Sequence, residues 1–417
     1  DPYPTVTQSY GRGEAVQLDA RSFTFVNAGP LALQGKTDKP AGYQVDVTYN
    51  GDCTGTLYDN NIWNNNPPDA NKNAVIAQDL TIPAKSTLIC NDLTVEDGVT
   101  LTLDADATGY AMLYVGGSIT LNGTGTIVYQ GYLDQTGDIY GISSPMTDGF
   151  YNTTGNTSDL VTYNANTASY VFSPNTTTTS AGTGYFATVG TGKFITSAGD
   201  FQVMGTPVTS HTHNLGYSSS VAAGGSGGGW NLIGNPYTCT LDWSGVSKTK
   251  VNDAIYMWNH NTLSYVYHVN GVSPPSGTYA GSAITYPAIA PMQAFWVQAT
   301  ASGGTITSSM KNHTVTSRTP DFFKRVPDNL IFIVEHSSDT TKADLTWIVA
   351  NSLASTGFDG QYDAWKMMNA GDNLNLFTQV QGEEYAINAL DLSNSTIIDM
   401  GFALATETHV NARLLFC

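Results

Sequence analysis

The sequence predicts an all-β, multidomain protein: a short β-roll or small sandwich followed by two β-sandwich modules. Three observations carry this. At 417 residues the chain exceeds one comfortable core. Only 12% of its residues are charged, while Gly, Thr, Ser, Asn and Tyr are abundant, a composition that favours strands and turns over helices. Short apolar runs also recur with Asn, Asp and Gly between them. The blocks divide as residues 1–137, 138–318 and 319–417.

In the first block the runs 74–77, 79–82, 93–95, 100–103, 112–115, 118–121 and 125–128 are short and regular, which predicts a coiled parallel stack, a β-roll, in preference to a small sandwich. In the middle block Trp230, Leu232 and Gly234 alternate with Asn231 and Ile233, the pattern of a half-buried strand, and Asn235-Pro236 stops it. The Thr/Ser/Gly tracts 176–180 and 222–229 read as loops within that block. In the third block the runs 330–334 and 345–349 read as a strand pair around a polar stretch, and predict the second sandwich.

Several of these segments, in order, resemble a known family. Residues 229–243, GWNLIGNPYTCTLDW, are similar to a module recurrent in large surface and secreted proteins of Bacteroidota exported by type IX secretion. Upstream, Gly141-Ile142-Ser143-Ser144-Pro145 and Gly182-Thr183-Gly184-Tyr185 resemble its entry and a following strand. Downstream, 254–258 and 289–297 resemble its aromatic strands, and 354–366, ASTGFDGQYDAWK, the signature of the next module. Trp63-Asn64-Asn65-Asn66-Pro67-Pro68 is similar to the family's lead into a β stack. The chain departs at Cys239, where a small residue is more usual. The matches span roughly residues 50–395. They imply β architecture, an extracellular or cell-surface location and a C-terminal sorting domain removed on maturation, and no single activity.

Charge excludes other classes. With 16 Lys and Arg against 34 Asp and Glu, a formal net charge of −18, the chain has no footprint for phosphate, so nucleic acid is not an expected partner. No run approaches the ~18 apolar residues of a spanning helix, so no membrane insertion is expected. Asp1-Pro2-Tyr3-Pro4 follows no leader, and the chain reads as a trimmed mature form.

Chemical motifs are sparse. Asp104 and Asp106, in Asp104-Ala105-Asp106-Ala107-Thr108-Gly109, reproduce half of a calcium loop that has Val115 where the bidentate glutamate belongs. They are the candidate metal ligands, with calcium the one cofactor expected, and a polar hairpin turn is the alternative. Asp69 to Asn73 is a second partial match. Gly224-Gly225-Ser226-Gly227-Gly228 satisfies G-x-S-x-G without the strand and helix of a nucleophile elbow, and reads as a loop. His211 and His213 share one side of a strand without a third ligand, and read as exposed strand-end histidines. Asp359, Asp363, Glu383 and Glu384 are carboxylates from which a glycosidase pair would be drawn, though the signature containing the first two reads as a packed turn.

Cys53 and Cys90 fall in one block and form the candidate disulfide, with buried reduced thiols as the alternative. Cys239 and Cys417 pair across domains, pair between subunits or stay free. Tyr256, Trp258, Tyr265 and Tyr267 alternate on strands and form a candidate glycan platform, with core packing the alternative. Asp1, Pro2, Tyr3 and Pro4 open a segment suited to adding a strand to a neighbour's sheet, a candidate assembly element. Asp339-Thr340-Thr341 fits the family's O-glycosylation site, and Asn152-Thr153-Thr154 is an Asn-x-Thr run.

The expectation is therefore a non-enzymatic extracellular structural or adhesive protein, the subunit of a self-assembling surface filament or an adhesin, whose partners are its own copies, neighbouring surface proteins or glycans. The alternatives are a carbohydrate-binding module array or the non-catalytic part of a secreted polysaccharide-degrading enzyme.

Overall fold

The computed structural model describes residues 46–49, 63, 67–106, 109–133, 139–152, 160–172, 178–188, 199–219, 228–259, 264–269, 288–315, 329–336, 339–351, 353–355, 357–369, 373–391, 398–404 and 412–416. These form an all-β protein of several sheets. Cys53, Cys417, Asp1 to Pro4 and Ser226 lie outside the described residues.

The first strands, β1 (Asp46–Tyr49), β2 (Asn73–Ile76), β3 (Leu80–Ile82), β4 (Thr87–Cys90), β5 (Leu93–Val95), β6 (Thr100–Leu103), β7 (Ala105–Asp106), β8 (Gly109–Tyr110), β9 (Met112–Val115), β10 (Ile119–Leu121) and β11 (Thr126–Leu133), wind a three-faced coil. One face stacks β1, β2, β5 and β10, the second β3, β6 and β11, the third β4 and β9, all in parallel. Apolar side chains repeat inward at matching register: Ala74, Leu93 and Ile119 on one face, Leu80, Leu101 and Ile127 on the next, Leu88 and Leu113 on the third. At the corners, carboxylates catch the next coil. Asp79 accepts from the Thr100 amide at 2.8 Å, Asp92 from the Ser118 amide and hydroxyl, and Asp97 from those of Thr124. The Asn, Asp and Gly between the runs are thus corners of a coil, the feature that made it legible as a roll.

The coil does not end in its own cap. Strand β11 turns to antiparallel pairing with β18 (Gly199–Pro207), which continues through β13 (Met146–Asn152) to β16 (Thr178–Thr179). The remaining middle strands are β12 (Ile139–Ser143), β14 (Val161–Asn164), β15 (Ser169–Phe172), β17 (Gly184–Thr188), β19 (Ser210–Leu215), β20 (Trp230–Gly234), β21 (Thr240–Asp242), β22 (Ser247–Thr249), β23 (Ile255–Asn259), β24 (Ser264–His268), β25 (Ala288–Ile289), β26 (Ala294–Gln298), β27 (Gly304–Ser309) and β28 (Thr314–Val315), with a one-turn helix α1 (Met310–His313). They build antiparallel sheets ordered β12-β17-β14-β15, β19-β27-β22, β20-β26-β23-β24 and β25-β21-β28.

The sheet β20-β26-β23-β24 is a partition with a different core on each face. Ile233, Ile255, Met257, Phe295 and Val297 join the core of the roll. Their alternating neighbours Trp230, Leu232, Tyr256, Ala294 and Trp296 join a second core with Trp347, Val349, Ala386 and Ile387. β20 is therefore buried at all five positions and not half-buried as its alternation predicted. Period two fixes which residues share a face; whether that face meets water depends on what folds over it.

What covers the second face is one mixed sheet of β29 (Asn329–His336), β30 (Asp339–Ala350), β31 (Ala364–Trp365), β32 (Leu374–Val380), β33 (Glu383–Leu390), β34 (Asp399–Leu404) and β35 (Ala412–Phe416). β29 and β30 form the expected pair, Ile331 opposite Trp347, and β33 runs parallel to β30.

Candidate functional site

The polar motif residues converge on two seams. At the first, β9 bonds to β4 along one edge, and its other edge meets the middle block: the Leu113 amide donates to Thr238 O at 3.1 Å, and the Thr238 hydroxyl and Cys239 thiol donate back to Leu113 O, both at 2.7 Å. The Val115 amide meets Met310 Sδ at 3.0 Å.

The turn that presents Thr238 is locked by Asn235. Its Oδ1 accepts from the Tyr237 amide at 2.9 Å, while its Nδ2 faces the carbonyls of Cys239, Ile289 and Ala290 at 2.8, 2.9 and 3.1 Å. Only an amide side chain both accepts and donates in this way, which is why Asn precedes Pro here. Gly234 is required for a second reason: a Cβ there would sit 2.0 Å from that of Ser143, whose hydroxyl bonds Asn235 O. Tyr237 completes the turn with a 2.8 Å hydroxyl contact to Ser308.

The second seam joins the partition sheet to the last block through residues 354–366. Phe358 stacks on Trp365 with centroids 3.7 Å apart and planes 7° from parallel. Tyr256 accepts from the Trp365 amide at 3.0 Å, the Trp365 indole donates to Gln298 Oε1 at 3.0 Å, and the Tyr267 hydroxyl donates to Met367 O at 3.0 Å. Asp363 accepts from the Ala389 and Asp359 amides, both at 2.7 Å, and burial pushes its carboxyl up to about 7 against those amides. Lys366 is wholly buried on Asp344, Nζ to Oδ2 2.5 Å, and Asp344 Oδ2 also accepts from the Leu376 amide at 2.6 Å.

This geometry corrects the glycan platform. Tyr256, Trp258, Tyr265 and Tyr267 do share one face, but Tyr256 and Tyr267 are 1% and 2% exposed and both hydroxyls are engaged. The rings meet edge to face, Tyr256 on Tyr267 at 84° and Trp258 on Tyr265 at 69°. A sugar needs an open ring face; Tyr256, Tyr267 and the half-buried Tyr265 pack into the second core, and Trp258, also half-buried, lies against Tyr265. Asp363 is likewise unsuited to glycosidic chemistry, since both of its oxygens hold backbone amides, and Glu383 lies exposed on β33.

His211 and His213 are not exposed strand-end residues. Their rings meet at 4.4 Å beneath Gly182, where any Cβ would come within 3 Å of both, and His213 is buried. Burial holds His213 down to about 3, and the adjoining His211 acts in the same direction. Asp106 accepts from the Gly109 amide across the β7–β8 hairpin, and the Asp104 backbone pairs with Ile82 and Ala111. Among the described residues no group of three His, Cys, Asp or Glu converges as a metal site would. Cys90, at the end of β4, and Cys239, just before β21, are buried free thiols facing β9, with Cys90 Sγ 3.8 Å from Tyr114 O, and burial pushes both thiols up. Asp339 begins β30, while Thr153 and Thr154 lie outside the described residues.

The reading of residues alone missed Asp344, which interrupts no pattern in its polar stretch, and the pairing of Thr238 with Leu113. Lys366 was visible only as the last position of the signature.

Together the fold and seams define a multidomain β protein whose modules share cores. Compared with known proteins, the chain matches no family model, no curated protein and no solved structure.

Proposed function

We propose that the protein is a non-enzymatic, extracellular structural or adhesive protein, a subunit of a surface filament or an adhesin at a bacterial cell surface. One observation carries this reading: the side chains with chemistry to offer are turned inward, Tyr256, Tyr267 and Trp365 to fasten the middle module to the last, and Asn235, Asp363 and Lys366 to brace the turns and strands within each. The motif resemblance and the scarcity of charge support the surface location. Strand β15, at the edge of its sheet, supports association with other copies, since it exposes Tyr170, Val171 and Phe172, the last 63% exposed.

The test is negative-stain microscopy of native material beside a version lacking residues 1–12. Filaments that vanish with the deletion establish a polymer built through that segment. Single particles in both samples overturn the filament, and antibody labelling of intact cells then decides whether the protein is displayed at all.

A further inference from the structure

We infer that Lys366 and Asp344 are the two partners of an intramolecular amide cross-link. Theirs is the most enclosed ion pair among the described residues: the side chains are 0% and 2% exposed, with Nζ and Oδ2 at 2.5 Å. The Tyr267 ring lies 5.4 Å from Nζ and excludes water from that side.

Four features of the site fit condensation and not ion pairing alone. The nucleophile and the carboxyl are held in contact by backbone that cannot drift, because the Lys366 amide is bonded to Glu384 O at 2.8 Å and its neighbours Trp365 and Met367 are bonded to Tyr256 and Tyr267. Such fixation supplies much of the barrier in an intramolecular reaction. The Leu376 amide, 2.6 Å from Oδ2, is aimed where negative charge develops when nitrogen attacks Cγ. Burial also pushes the Asp344 carboxyl up, towards the protonated form that can lose water. Finally, an ionised pair closed off from solvent gains little net stability, whereas an amide leaves no charge to desolvate.

The step balances without a co-reactant. One proton first passes from the Lys366 ammonium to the Asp344 carboxylate, giving a neutral amine beside a carboxylic acid. Nζ then bonds to Cγ, a second proton passes from the nitrogen to Oδ1, the bond from Cγ to Oδ1 breaks and Oδ1 departs as water, and Oδ2 remains as the amide oxygen on the Leu376 N–H. Neither oxidant nor enzyme is required. The inference stands whether or not the protein assembles into filaments, since it concerns bonds within one chain.

The experiment is intact mass measurement of the purified, denatured full chain, followed by peptide mapping. The expected result is a mass lower by one water, absent in Lys366→Met, with a branched peptide joining the segments that carry Asp344 and Lys366. In Asp344→Asn the same bond releases ammonia, so the mass deficit changes accordingly; this separates the cross-link from dehydration at another aspartate. The full unmodified mass in the wild-type chain, or a deficit that persists in Lys366→Met, overturns the inference.

Discussion

The two seams join the same partition sheet to its neighbours by different means. The seam to the roll is made of main chain: Leu113 exchanges bonds with Thr238, and thiol, thioether and small hydroxyl groups fill the rest. The seam to the last block is made mostly of side chains, with two tyrosine hydroxyls and an indole reaching across beside one main-chain bond from the Asp253 amide to Gly360 O. A backbone seam needs an edge strand and shape, and tolerates many side chains. A side-chain seam requires particular residues, and fails at any one of them.

The largest expected break in that comparison is Lys366→Ala. It removes the inferred cross-link and leaves the Asp344 carboxyl buried without a partner, the latter alone costing about 3–5 kcal/mol in urea denaturation. Adding Asp344→Leu to Lys366→Met should recover the part due to the stranded carboxyl and not the part due to the lost cross-link. Asn235→Ala comes next, costing about 3 kcal/mol, because it strands an amide and several carbonyls in the interior. Its effect should appear as faster hydrogen exchange around Leu113, leaving 363–389 protected.

Two buried groups, His213 in the middle block and Asp363 in the last, should also respond oppositely to acid. His213, held down to about 3, is neutral in the folded protein, so between 6.5 and 3 the unfolded chain binds the extra proton and stability falls as pH falls. Asp363, raised to about 7, binds its proton in the folded protein between 7 and 3.8, so its contribution grows as pH falls through that window. Each amounts to about 1.4 kcal/mol per pH unit per proton at most. His213→Gln should flatten the first slope and Asp363→Asn the second, and stability curves unchanged by both variants would erase the distinction. The smallest effect is Thr238→Val, about 1 kcal/mol for one hydroxyl, confined to the roll seam.

How much of this was legible depends on sequence distance. The roll could be read because each coil repeats local chemistry, apolar triplets between Asn, Asp and Gly corners. The aromatic set of β23 and β24 could be placed on one face but not assigned to solvent or core, since the sheet that covers it arrives almost a hundred residues later, at Trp347 and Trp365. His211 and His213 gave no sign of Gly182 lying over them. Asp344 and Lys366 lie 22 residues apart with no shared pattern, and only the parallel pairing of β30 with β33 brings their neighbourhoods together.

Strand β11 closes the coil only by pairing with β18, and β9 only by meeting Thr238. A chain made from its N-terminus therefore has two bare edges for the time needed to produce roughly a hundred further residues, an interval of several seconds at ordinary synthesis rates. During that interval the coil is adhesive towards any extended strand. Delay in completing the middle block should thus drive aggregation in the roll, far from the delay itself, and a helper that shields β9 and β11 would raise the yield of folded protein without altering its final stability.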